Sequence, residues 1–158
     1  MNLPELQNDE ALRQREFPVC ADKVYLAHAG VSPVPACVTR AVQETAAAAA
    51  LDDQEEGLGD LLRTTRARAA EMLGADVGEV ALIGPTTAGL SAVAAGLDWQ
   101  AGDEVLIYQD DFPVNVYPWL ALETRGVTVR RLQTPALGHI TPELVLEQLT
   151  DKTRLVAL

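Results

Sequence analysis

The stretch Ile83–Ser91 (IGPTTAGLS) sets two threonines between a Gly-Pro turn and an apolar helical pattern. Such a turn suits an anion. The first N–H groups of a helix have no partner within it, and the helix dipole adds partial positive charge at that end. The hydroxyls of Thr86 and Thr87 add donors, so the turn reads as a phosphate cup. The spacing from Gly84 to Gly89 mimics a nucleotide-binding loop, but Leu90 stands where that loop needs lysine. The dinucleotide pattern G-x-G-x-x-G is absent. The competing reading is that Thr87 only caps its helix.

Two further stretches carry polar or aromatic groups beside apolar runs. Tyr108–Trp119 (YQDDFPVNVYPW) offers a ring at Phe112 and an amide at Asn115. In parallel α/β sheets ligands sit at the carboxyl ends of strands, so this loop and the Thr86–Thr87 turn should face the same way. Phosphate donors at one strand end and a ring at the next suit a flat, phosphorylated aromatic cofactor. The alternative is that Phe112, Tyr117 and Trp119 only pack the layer interface. Tyr25–Pro35 (YLAHAGVSPVP) breaks from an apolar run into a loop at His28 and Gly30. Gly30 would let backbone approach a small substrate, whereas His28 has an equally plain structural reading. Cys20 and Cys37 match no metal or redox spacing and read as free thiols of a reducing cytosol.

The elements that must position these residues follow from periodicity and punctuation. Weakly amphipathic 4–16 predicts a short helix, and 23 onward a short strand that breaks into a Gly/Pro loop. Pro35 suits the opening of a helix over 36–51, which includes a run of alanines. The acidic DDQEEGLG reads as a turn, and 60–73 as a helix ending at Gly74. Beyond it the pattern alternates. Strands are predicted at 79–83, 102–108, 127–132 and 153–158, and helices at 87–97, 115–126 and 141–150. Short apolar strands alternating with helices predict an α/β fold of three layers around a mainly parallel sheet.

With 158 residues, 48% of them hydrophobic and 22% charged, the composition is that of a folded soluble domain. A net charge of −11 disfavours nucleic acid and anionic membranes as partners. The N-terminus is polar and acidic, unlike a secretion signal, and no apolar run reaches the ~20 residues of a membrane span. A cytoplasmic protein is expected. The chain stops within the apolar run at Leu158, which reads as the N-terminal portion of a longer protein.

In order and spacing, VYLAHAGVSPVP, IGPTTAGLSAVAAGL and GDEVLIYQDDFPVNVYPW resemble the N-terminal half of class V aminotransferases. These are enzymes of fold type I dependent on pyridoxal 5'-phosphate (PLP). They include cysteine desulfurases, selenocysteine lyases, kynureninases and isopenicillin N epimerase-like proteins. The resemblance implies an N-terminal helical arm at 1–22 and the first part of the PLP-binding large domain at 23–158. It implies that Thr86 and Thr87 bind the phosphate, that Phe112 stacks on the pyridine, and that Asn115 lies near the cofactor. His28, Ala29 and Gly30 would line the pocket of a small amino-acid substrate. A homodimer is implied as well. The reaction stays open among transamination, lyase or desulfurase chemistry, and epimerisation. PLP chemistry needs a lysine that bonds the cofactor. Lys23 and Lys152 are this chain's lysines, and neither matches the family's. A catalytic residue is therefore not expected within the chain, which by itself is expected to be inactive. The alternative is a non-catalytic α/β fragment or interaction domain.

Overall fold

The computed structural model describes residues 3–51, 53 and 55–158. They fall into two compact units, one ending at Val77 and the other spanning Gly78–Leu158. The expected arm lies within the first unit. No helix among the described residues is long and apolar enough to cross a membrane.

The first unit is helical. Two short helices stand where one was expected: α1 (Leu3–Asn8) and α2 (Glu10–Glu16). They part at Asp9, whose carboxylate accepts from the Leu12 N–H at 2.9 Å and so caps α2. A 3-10 turn follows at Pro18–Ala21. Helix α3 (Ala36–Ala49) starts just after Pro35, as its composition predicts. Helix α4 (Glu55–Leu73) takes in EEGLG, which the sequence reading assigned to a turn, and Gly57 accommodates this at φ 104°. The apolar run from residue 23 forms no strand. A strand needs a ladder partner, and the described first unit offers none. Val24 and Leu26 stay exposed.

The second unit holds a parallel three-stranded sheet in the order β2-β1-β3. Its strands are β1 (Glu104–Ile107), β2 (Thr128–Arg131) and β3 (Thr153–Ala157). Val105 sits opposite Val129 on one side and Leu155 on the other. Alternate side chains of a strand point to opposite faces. Val105 and Ile107, both fully buried, therefore share a face with Val129, Leu155 and Ala157. That face packs against Leu90 and Ala94 of α5 (Thr86–Gly96) and Trp119 of α6 (Tyr117–Leu120), with Val116 and Leu122 beside them. Burying each large aliphatic of this kind stabilises by about 1.5–3 kcal/mol. Leu106 and Arg130 point to the other face. There Arg130 donates to the carbonyl of Gln148 at 2.7 Å, just past α7 (Pro142–Leu146). Helices on both faces complete the three-layer α/β arrangement.

The expected strand at 79–83 is absent. Val77–Glu79 is a 3-10 turn and 80–83 belongs to no ladder. The open edges of the sheet belong to β2 and β3, and this run pairs with neither. Ile83 instead lies against Gly89 of α5, occupying the space a Cβ there would fill. Helix 115–126 is also shorter than predicted. It is interrupted into α6 and a 3-10 turn, Ala121–Arg125, which ends at Gly126 with φ 81°. That conformation is costly for any residue with a Cβ. Here a Cβ would also stand 3.3 Å from that of Ala101. The Gly126 carbonyl accepts from Gly102 at 2.9 Å, so the turns that feed β1 and β2 are tied together.

One polar knot fixes the amino ends of β1 and β3. Asp103 accepts from the Gln100 N–H at 2.8 Å and from Arg154 at 2.9 Å. The Arg154 guanidinium also lies 5.5 Å from the centre of the Trp99 ring. The backbone bond from Gln100, then the bond from Arg154, hold the Asp103 carboxyl below the ordinary aspartate range. Its folded pKa is thus lower than its unfolded one. Its contribution to stability is complete above the unfolded value of about 4 and is lost as pH falls through the lower, folded value. Asp103→Asn is expected to flatten this acid limb. Urea midpoints of the two proteins should converge as pH drops below about 4, and a constant gap would count against the knot.

Candidate functional site

Helix α5 opens without a side-chain cap. Its N-cap is Pro85, and no side-chain oxygen accepts from its first turn. The N–H groups of Ala88 and Gly89 bond the Pro85 carbonyl at 2.8 and 3.4 Å. The amides of Thr86 and Thr87, ahead of them, have no intrahelical acceptor. Both threonines are exposed. Thr87 is therefore not a capping residue, which removes the plain alternative for it. Two threonines and two amides without intrahelical acceptors sit at this helix end, where the dipole adds positive potential.

Five residues past β1, Phe112 is set by a local turn. Pro113 restricts the residue before it to extended backbone, and Phe112 lies at φ −59°, ψ 137°. The Asp111 carboxylate accepts from the Phe112 N–H at 2.6 Å and from the Asn115 amide at 2.7 Å. The Asn115 oxygen in turn accepts from the Trp119 indole N–H at 3.2 Å. This chain runs from the buried Trp119 to the backbone of the exposed Phe112. The packing alternative thus holds for Trp119 and fails for Phe112 and Tyr117, which are 73% and 68% exposed.

Thr87 and Phe112 line one cleft of about 500 Å³, together with Ser91, Pro113, Tyr117 and Pro118. The structure thus brings a helix-start hydroxyl and an aromatic ring together. Thr86 is next to this lining and not part of it. Asn115 is not part of it either, and its amide works within the Asp111–Trp119 chain. Sequence reasoning missed Asp111 and Ser91. The Asp-x-Pro order was a turn signal that points to Asp111. Ser91, one helical turn past Thr87, follows from period alone.

Neither lysine lines the cleft. Lys152 lies at the amino end of β3, where its carbonyl accepts from Glu104 at 2.9 Å. That is the opposite end of the sheet from Phe112. Lys23 belongs to the first unit.

His28, Ala29 and Gly30 form an exposed turn in the first unit. The His28 ring nitrogen is 3.1 Å from the Tyr25 carbonyl, and the two rings meet edge-on at 5.2 Å. Ser32 donates to the His28 carbonyl at 3.3 Å. A Cβ on Gly30 would meet open space, so nothing in the chain itself requires glycine there. His28 also lines a separate cavity of about 400 Å³. Cys20 and Cys37 are both free and half-buried. No cluster of metal-binding side chains occurs among the described residues.

Residues 24–158 match the profile of the family described as "Aminotransferase class-V". The "Probable cysteine desulfurase" of Methanothermobacter thermautotrophicus is 29% identical over 151 residues, which is 92% of this chain and 38% of that protein. The C-DES mutant with glycine covalently linked to its PLP cofactor superposes with a TM-score of 0.81 at 24% identity, covering 90% of this chain and 39% of that one. The complex of the cystine C-S lyase C-DES with its product cysteine persulfide gives 0.79 at 25% identity, over 89% and 39%. The chain thus spans well under half the length of the proteins it matches.

Proposed function

The chain belongs to the class-V aminotransferase family, and on that premise we propose that it forms the N-terminal part of the PLP site of an enzyme acting on an amino acid. The observation that carries this is the shared cleft of Thr87 and Phe112. The residues fit the cofactor. A phosphate dianion matches the free hydroxyls and amides at the start of α5. A pyridine ring matches the exposed face of Phe112. Asn115 acts through Asp111 to orient that ring. PLP, when bound, supplies the electron sink for breaking bonds at an amino acid's α-carbon. This chain's part is to anchor the phosphate, cover one face of the ring and exclude water from it. His28, Ala29 and Gly30 would border the substrate. A homodimer in the cytoplasm is part of the same reading.

A sulfur-containing amino acid is the favoured substrate, since a desulfurase and a cystine C-S lyase are among the similar proteins. The lysine that such chemistry needs is not in the cleft. The chain by itself therefore binds and does not turn over.

Titration with PLP, followed by amide and aromatic NMR, tests the proposal. Saturable shifts at Thr86–Gly89 and at the Phe112 ring are expected, reversed by inorganic phosphate. Borohydride trapping should label no lysine specifically. Saturable labelling of Lys152 with an unperturbed 86–89 turn would overturn it.

A further inference from the structure

We infer that Glu16 is a positioning residue that clasps the base of the loop carrying His28, Ala29 and Gly30. Helix α3 has no cap of its own, because its N-cap is Pro35 and no local side chain accepts from its first turn. The N–H of Cys37 in that turn donates instead to the Glu16 carboxylate, at 3.1 Å and across 21 positions. Glu16 is the last residue of α2 and is only 6% exposed. Its other oxygen lies 3.8 Å from the Arg15 guanidinium. A carboxylate here both satisfies an orphan amide and faces the positive end of a helix of 14 residues.

The bond closes a loop. Between α2 and α3 the chain has only the Pro18–Ala21 turn as regular structure. The tip is held within itself, by the Tyr25 hydroxyl on the Val31 carbonyl and by His28 on Tyr25. The base is held by Glu16. Beneath lies the 400 Å³ cavity lined by Phe17, Cys20, Tyr25, His28 and Pro33. Opening the clasp would free both ends of this segment together and let the proposed substrate border drift. That functional meaning rests on the reading of 28–30 given above. The clasp itself does not.

The two units carry separate reporters. The thiols of Cys20 and Cys37 lie in the first, and the chain's two tryptophans, Trp99 and Trp119, are buried in the second. The full chain, without cofactor, is treated with a chromogenic disulfide reagent under native conditions. In Glu16→Ala both thiols should label about tenfold faster, since a hydrogen bond to a charged group is lost. Glu16→Gln keeps an acceptor oxygen and should restore most of the protection. Tryptophan emission should be unchanged in both. Unchanged labelling in Glu16→Ala, labelling in Glu16→Gln as fast as in Glu16→Ala, or a shift in tryptophan emission would each overturn the clasp. Protection lost as expected alongside absent PLP binding would leave the clasp standing and sink the proposed site.

Discussion

Replacing Thr86 and Thr87 together by alanine is expected to weaken the hold on PLP about a hundredfold, from the loss of two charge-assisted hydrogen bonds near the lower end of ~1.5–3 kcal/mol each. Binding should not vanish, because the free amides at the start of α5 survive the substitution. The fold should not suffer. Neither threonine caps α5, whose N-cap is Pro85. Alanine is also a better helix former than threonine by a few tenths of a kcal/mol. The doubly substituted chain should therefore unfold at the same urea concentration or slightly above it. If Thr87 were a cap after all, its loss would cost ~1 kcal/mol of stability, and the midpoint would fall. PLP titration and urea unfolding of one sample separate the two roles. Weakened binding with unchanged stability supports the phosphate cup. Unchanged binding removes it.

Trp119→Ala is expected to have the largest effect on stability, about 3–5 kcal/mol for an aromatic removed from a packed core. Trp119 is 2% exposed and belongs to the cluster built on Val105 and Ile107. Its loss leaves a cavity under α5 and α6. It also removes the donor to Asn115 and so slackens the chain through Asp111 that sets Phe112. Trp119→Phe separates the two effects. It keeps most of the apolar contact and loses only the indole N–H. Its cost should be about 1 kcal/mol, yet the Phe112 ring should become more mobile. Urea unfolding read by the remaining Trp99 measures the first quantity, and relaxation of the Phe112 ring measures the second. A Trp119→Phe protein with an unaltered Phe112 would show that the ring is set by Pro113 alone.

The helix expected from 87 and found from Thr86, the three strands and the Pro35 boundary were all legible, because each leaves a local mark. Short apolar runs, a proline before the first turn and a glycine such as Gly74 after the last act within a few residues. The runs at 23 and 79–83 look equally strand-like and form none. An apolar run records a capacity to pair, but a ladder also needs a partner laid beside it, and neither run pairs with the outer edge of β2 or β3. The same blindness hid α4's early start, where a glycine at φ 104° was absorbed into a helix.

By itself the sequence determined the family, the alternation of strands and helices, and the turn-to-helix junction at Thr86–Thr87, since these rest on the order of neighbouring residues. Only the tertiary structure decided that Thr87 and Phe112 line one cleft, that Asn115 links Asp111 to Trp119, and that Glu16 closes onto Cys37. The Thr87–Phe112 and Glu16–Cys37 pairings span 25 and 21 positions, and Asn115's short links matter only because the core fixes Trp119. The reason is that a hydrogen bond or a shared cavity between distant residues depends on how whole elements pack. Packing energy is summed over many weak contacts and leaves no mark on any single stretch of chain.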